Sequence, residues 1–246
     1  MAVRGRLGPW YRLAIVLLKP PCLLLSRRQG SGTEHVPPGG IIIAANHVAL
    51  TDPVALVDFV LYDLHRAPRF LAKSSLFRGN GLVGRVMRGA GQIPVDRHAA
   101  DAARSLDAAV ASVTRGETVV IYPEGTVTRD PDRWPMLART GVARLALLTG
   151  APVVPLAQWG AQDVEQVLRR RAPLRRTPVR FRVGPPVDLS RWMAQEPTAV
   201  VLREATAAVM AAITSELEVL RGESAPAQAY DPRGERPGGQ DGRRTA

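Results

Sequence analysis

A single cysteine, Cys22, serves all 246 residues. No intrachain disulfide can form, no cysteine cluster is available for zinc, and nothing calls for an oxidising compartment. The apolar residues around Cys22 mark it as an inert thiol. Lysine is almost as scarce: of 33 basic residues only Lys19 and Lys73 are lysines. Aromatic residues make up 5% of the chain, which supplies poorly the stacking surface of a single-strand binder. The four histidines are too scattered for ligand spacing, so neither a metal nor a cofactor is implied. Acidic residues are outnumbered by 11, and that excess directs the surface to anionic partners. Phospholipid headgroups and phosphorylated substrates come before nucleic acid, which has only the charge in its favour.

No apolar run reaches the ~20 residues of a membrane span. The most hydrophobic stretch, 10–25, is split by Lys19-Pro20-Pro21 and has arginines about both ends (Arg4, Arg6, Arg12; Arg27, Arg28). Its Arg27-Arg28 end lacks the small residues of a signal-peptide cleavage site. The expectation for residues 1–30 is two short helices broken at the prolines, lying in the membrane interface with Trp10 and Tyr11 at headgroup level. A helical hairpin packed on the protein's own core is the alternative. Residues 31–221 suffice for one domain with a sizeable core. From Gly222 to Ala246 the composition turns to Gly, Pro, Arg and Gln, a disordered basic tail.

Between these ends, strand and helix patterns alternate. Strands are expected at 41–45, 69–72, 92–95, 117–122 and 153–157, with 179–183 an arginine-alternating edge strand. Helices are expected near 53–64, at 99–115, at 139–149 and, amphipathic and long, at 197–220. Such alternation indicates an α/β fold: a mostly parallel sheet flanked by helices. Working groups then gather beyond the carboxyl ends of the strands. Three strands end in polar clusters: Asn46-His47, Asp96-Arg97 and Glu124-Gly125-Thr126. Right-handed crossovers bring all three to one edge.

The first cluster carries the chemistry. Ile41 to Ala45 is a buried strand, and Asp52-Pro53 reads as a helix start with Asp52 as N-cap. His47 sits in the turn between, where the Asp52 carboxylate can fold back onto the imidazole. Held so, one ring nitrogen is fixed and the other is free as a general base. The plain alternative is a helix cap beside a polar turn residue. Arg97, beside a helix start, suits a phosphate, or else forms a surface pair with Asp96. Gly125 allows close backbone approach, and Glu124 and Thr126 can hydrogen-bond a polyol, although with Pro123 these residues also make an ordinary turn.

Asn46-His47-x4-Asp52, Gly91-Gln-Ile-Pro-Val-Asp96-Arg97, Tyr122-Pro123-Glu124-Gly125-Thr126 and Val153-Val154-Pro155-Leu156 stand in this order. In order and approximate spacing they resemble the glycerolipid acyltransferase family, above all 1-acylglycerol-3-phosphate acyltransferases of the bacterial PlsC type. The likeness spans roughly residues 8–220. It implies a general base at His47 oriented by Asp52, with no covalent acyl-enzyme. It further implies an acyl-CoA or acyl-carrier-protein donor and a lysophospholipid acceptor, at the cytoplasmic face of the cell membrane. Asn46, Arg97, Glu124, Gly125 and Thr126 match its substrate-binding positions, with Lys73 a further phosphate ligand. One position departs: where many members carry a basic residue after the Glu-Gly-Thr block, this chain has Val127, and either Arg129 two residues on takes over the charge at the substrate or the headgroup is held differently. That leaves the acceptor open to another lysophospholipid, a glycolipid or an amino-lipid. A non-catalytic binder of anionic membranes is the reading from a different class.

Overall fold

A computed structural model describes residues 7–79, 81–95 and 99–232. Seven strands form one sheet: β1 (Ser26–Ser31), β2 (Ile41–Ala45), β3 (Pro68–Lys73), β4 (Ile93–Val95), β5 (Thr118–Ile121), β6 (Val153–Trp159) and β7 (Thr177–Val183). Their spatial order is β1-β7-β6-β2-β5-β3-β4. All neighbours run parallel except β6 and β7, which are antiparallel. The expected α/β architecture with a mostly parallel sheet is what forms.

The helices are α1 (Pro9–Leu25), α2 (Asp52–Tyr62), α3 (Leu82–Gly89), α4 (Ala99–Thr114), α5 (Gly141–Thr149), α6 (Ala161–Leu168), α7 (Ser190–Met193) and α8 (Ala199–Arg221). β2 shows why both faces must be covered. Its five residues are all apolar and fully buried, and alternate residues point to opposite faces. Ile42 and Ala44 join Val142 and Ala146 of α5 and Leu202, Val209 and Ile213 of α8 in one core. Ile41, Ile43 and Ala45 join Leu56, Phe59 and Val60 of α2 in the other.

Two expectations are corrected. Residues 9–25 form one helix, unbroken at Pro20-Pro21. The amides that these prolines lack would have met the carbonyls of Val16 and Leu17, residues 66% and 47% exposed, where water can take their place. Packing keeps the two halves in line: Tyr11 donates to the Pro68 carbonyl at 3.2 Å and the Lys19 ammonium sits over the Tyr62 ring. The strand at 177–183 is not an edge. β1 covers it in parallel register, Ser26 opposite Thr177 through Ser31 opposite Arg182. Sequence reading missed β1 because Ser-Arg-Arg-Gln-Gly-Ser has no apolar alternation. It is the kind of short, charged strand that closes a sheet edge.

Candidate active site

β2, β5 and β3 are parallel neighbours, so Asn46-His47, Pro123-Glu124-Gly125 and Lys73 emerge at one edge. The third cluster, Asp96-Arg97, follows β4 directly but lies outside the described residues, and with it the Arg97 phosphate contact.

The turn after β2 is fixed from both sides. Asn46 is buried, and its side chain and carbonyl make three hydrogen bonds of 2.8–3.0 Å with Gln158 of β6. The His47 amide donates to Glu124 Oε1 at 2.9 Å, and its carbonyl accepts from the Thr128 amide at 2.7 Å. Glu124 Oε2 in turn accepts from the Met136 amide at 3.0 Å. The side chains of Asn46 and Glu124 are thus occupied in shaping the turn. Burial outweighs both amide donors on Glu124 and pushes its carboxyl up to about 8.

Asp52 opens α2 but does not cap it. The cap position is Thr51, and Asp52 turns its carboxylate inward. Oδ2 accepts from the Val48 amide at 2.6 Å, the Ala49 amide at 2.9 Å and His47 Nδ1 at 2.8 Å. An oxygen that already accepts two amides must accept from the ring as well, so Nδ1 carries the proton and Nε2 is the free nitrogen. Asp52 is fully buried, and burial raises its carboxyl against the lowering pull of His47 and the two amides. The tight turn that the spacing of five required is present.

Tyr122 completes the arrangement, and sequence reading gave it no role. Its ring stacks on the imidazole with centroids 4.2 Å apart and planes 18° from parallel. Its buried hydroxyl is pushed well above the ordinary phenol range, first by burial and then by the Asp52 carboxylate. Only the three-dimensional juxtaposition of two strand ends reveals this contact.

Gly125 has φ +74°, a left-handed conformation that favours glycine. A Cβ there would come within 3.2 Å of Arg139 Nε, so this guanidinium lies against the Glu-Gly-Thr turn. Among the described residues, the side chains of Lys73, Thr126, Arg129 and Arg139 have no protein partner. Lys73, Arg129 and Arg139 are exposed, and Thr126 is half-buried. No cluster of three potential metal ligands occurs among the described residues. Cys22 lies away from this edge, beside Asp58, and burial lifts its thiol to about 11.

Residues 27–159, more than half of the chain, match the family model described as Acyltransferase. A solved structure that resembles the chain is the crystal structure of the 1-acyl-sn-glycerophosphate (LPA) acyltransferase, PlsC, from Thermotoga maritima. It is 22% identical, with a TM-score of 0.61, over 87% of this chain and 81% of that one. At that identity the likeness is one of fold. No curated protein matches.

Proposed function

This chain belongs to the acyltransferase family, and on that premise we propose that it acylates the sn-2 hydroxyl of 1-acylglycerol-3-phosphate to give phosphatidic acid. The donor is an acyl-CoA or acyl-carrier-protein thioester, and the work is done at the cytoplasmic face of the cell membrane. The observation that carries the reading is the 2.8 Å bond from His47 Nδ1 to a buried Asp52 carboxylate. It leaves Nε2 to take the proton of the acceptor hydroxyl as the oxygen attacks the thioester carbonyl. The tetrahedral intermediate then expels the thiolate, which is protonated to the free thiol. Asp52 stabilises the imidazolium that forms in between. The acceptor hydroxyl fills the place of a serine, so no acyl-enzyme is required. Asn46 and Glu124 support this chemistry by holding the His47 backbone, while Gly125, Thr126, Lys73 and Arg129 are left to meet the polar part of the substrates, to which the family resemblance adds Arg97.

Thiol release from palmitoyl-CoA by the purified chain in detergent tests the proposal. We expect release only when lysophosphatidic acid is added. His47→Ala should lose ~10²–10⁴-fold, the usual worth of a positioned base. Asp52→Asn should fall in the same direction, because the ring loses its fixed tautomer. Release without acceptor would make the protein a thioesterase. Silence across a panel of lysolipids and both donor types would favour the non-catalytic membrane binder.

A further inference from the structure

Beside the catalytic edge, but not over it, a groove of about 1010 Å³ runs between residues 134–140 and α8. The segment 225–231 forms another wall, tied in by the Leu137 amide donating to the Tyr230 carbonyl at 2.9 Å, so the disorder expected from Gly222 onward does not hold for these residues. His47 and Asp52 do not line it. Its walls are largely apolar, among them Leu137, Met210, Ala211 and Pro226, and its volume lies at the top of the ~300–1,000 Å³ typical of small-molecule sites.

Three arginines line this apolar surface: Arg139, Arg144 and Arg203. None of their guanidinium groups has a protein partner among the described residues, whereas Arg28, Arg69, Arg115, Arg169, Arg182, Arg191 and Arg221 all form ion pairs. Two acidic residues share the lining and neither pairs with these arginines: Glu218 accepts from the Ala225 amide, and Asp231 has another partner. Apolar walls with unneutralised cations complement an amphiphile whose head is an anion. Arg139 decides which one. Among these three it is the arginine that reaches the turn at Gly125, and the Met136 amide near it is held by the same Glu124 that holds His47.

We propose that the groove holds the acceptor lysophospholipid, with its phosphate monoester on Arg139 and its acyl chain along α8. Arg139 thereby supplies the positive charge that Val127 does not. The guanidinium fork suits a phosphate, and the chain removes apolar surface from water on Met210 and its neighbours. This assignment rests on the acyl-transfer reading for its acceptor, yet binding can be measured without turnover.

The experiment uses the full chain and soluble 1-oleoyl-lysophosphatidic acid, below its micellar concentration, in calorimetric titrations beside uncharged 1-oleoylglycerol. Arg139→Ala should weaken lysophosphatidic acid ~10–100-fold, the range for losing a charge-assisted hydrogen-bond pair, and leave oleoylglycerol unmoved. Arg139→Lys should recover part of the loss. Ala211→Trp, at an exposed helical position, should weaken both lipids by filling the groove. In turnover, Arg139→Ala and Ala211→Trp should raise the KM for lysophosphatidic acid and leave that for palmitoyl-CoA in place. Unchanged lipid affinities in Arg139→Ala and Ala211→Trp would overturn the proposal. So would a rise in the palmitoyl-CoA KM alone, which would make the groove the donor's. Wild-type protein that binds lysophosphatidic acid in this Arg139-dependent way without transferring acyl groups would sink the enzymatic reading and leave the site standing.

Discussion

A general base is only as good as its aim, and four neighbours set the aim of His47. Asp52 fixes one ring nitrogen, Glu124 and Thr128 fix the backbone, and Tyr122 limits rotation of the ring by stacking on it. Tyr122 touches no reacting atom in this scheme, so it is a positioning residue. Tyr122→Phe keeps the stack and should retain most of kcat. Tyr122→Leu removes it and should cost roughly tenfold in kcat, since small misplacements of a base are expensive. Steady-state kinetics over a range of pH checks this: loss of aim lowers kcat and moves its pH profile, with the acceptor KM little changed. A role in packing alone would lower the melting temperature of both variants and leave the profile in place. The His47–Asp52 pair was legible because five residues separate a histidine from an acid across a strand–helix turn. Glu124 was legible as important but not in its partners. A carboxylate beside a glycine reads as a ligand group, and nothing in the local pattern shows two buried amides waiting for it.

Among the elements, α1 is the one whose surface has most left to explain. No helix of the described residues is long and apolar enough to cross a membrane. Val16, Leu17 and Leu24 nonetheless stand out from α1, with Leu24 65% exposed. The helix is held to the body at Tyr11, at Lys19 over Tyr62 and at the paired Arg28 that follows it. None of the exposed trio takes part in these contacts, an arrangement that suits a helix lying in an interface. Replacing all three exposed residues by serine should reduce flotation with anionic phospholipid vesicles several-fold, with the helical circular dichroism signal unchanged. Equal flotation would assign membrane contact to some other surface. Sequence reading found the apolar stretch but divided it at the prolines, because it had no knowledge of the packing that keeps the halves aligned. It found β2, β5 and β6 from their β-branched runs, and it placed β7 at an edge because the strand that covers it carries no hydrophobic signature.

At the scale of the whole molecule, three buried or part-buried carboxyls, Asp52, Asp63 and Glu124, all hold their protons more firmly than free side chains do. For Glu124 the ordinary value is 4.5 and the folded value about 8. Between these the native state binds a proton that the unfolded chain has released. Its contribution to stability is therefore complete below 4.5 and disappears as the pH rises through 8. Urea unfolding should show stability falling from pH 6 to pH 8.5, by at most roughly 1.4 kcal/mol per pH unit for one group. Glu124→Gln, which cannot ionise, should show a flatter decline. An identical slope in this variant would assign the effect to other groups.

The pairing of β1 with β7 also dictates an order of events. Ser26 waits for Thr177, its partner across the sheet, while the ribosome adds the intervening chain. At ~5–20 residues per second that wait lasts roughly 8–30 s. Throughout it, the apolar helix just before β1 has been synthesised and the strand that would anchor it has not. In that interval the exposed apolar residues of this helix are available to a bilayer or a chaperone before the sheet is complete.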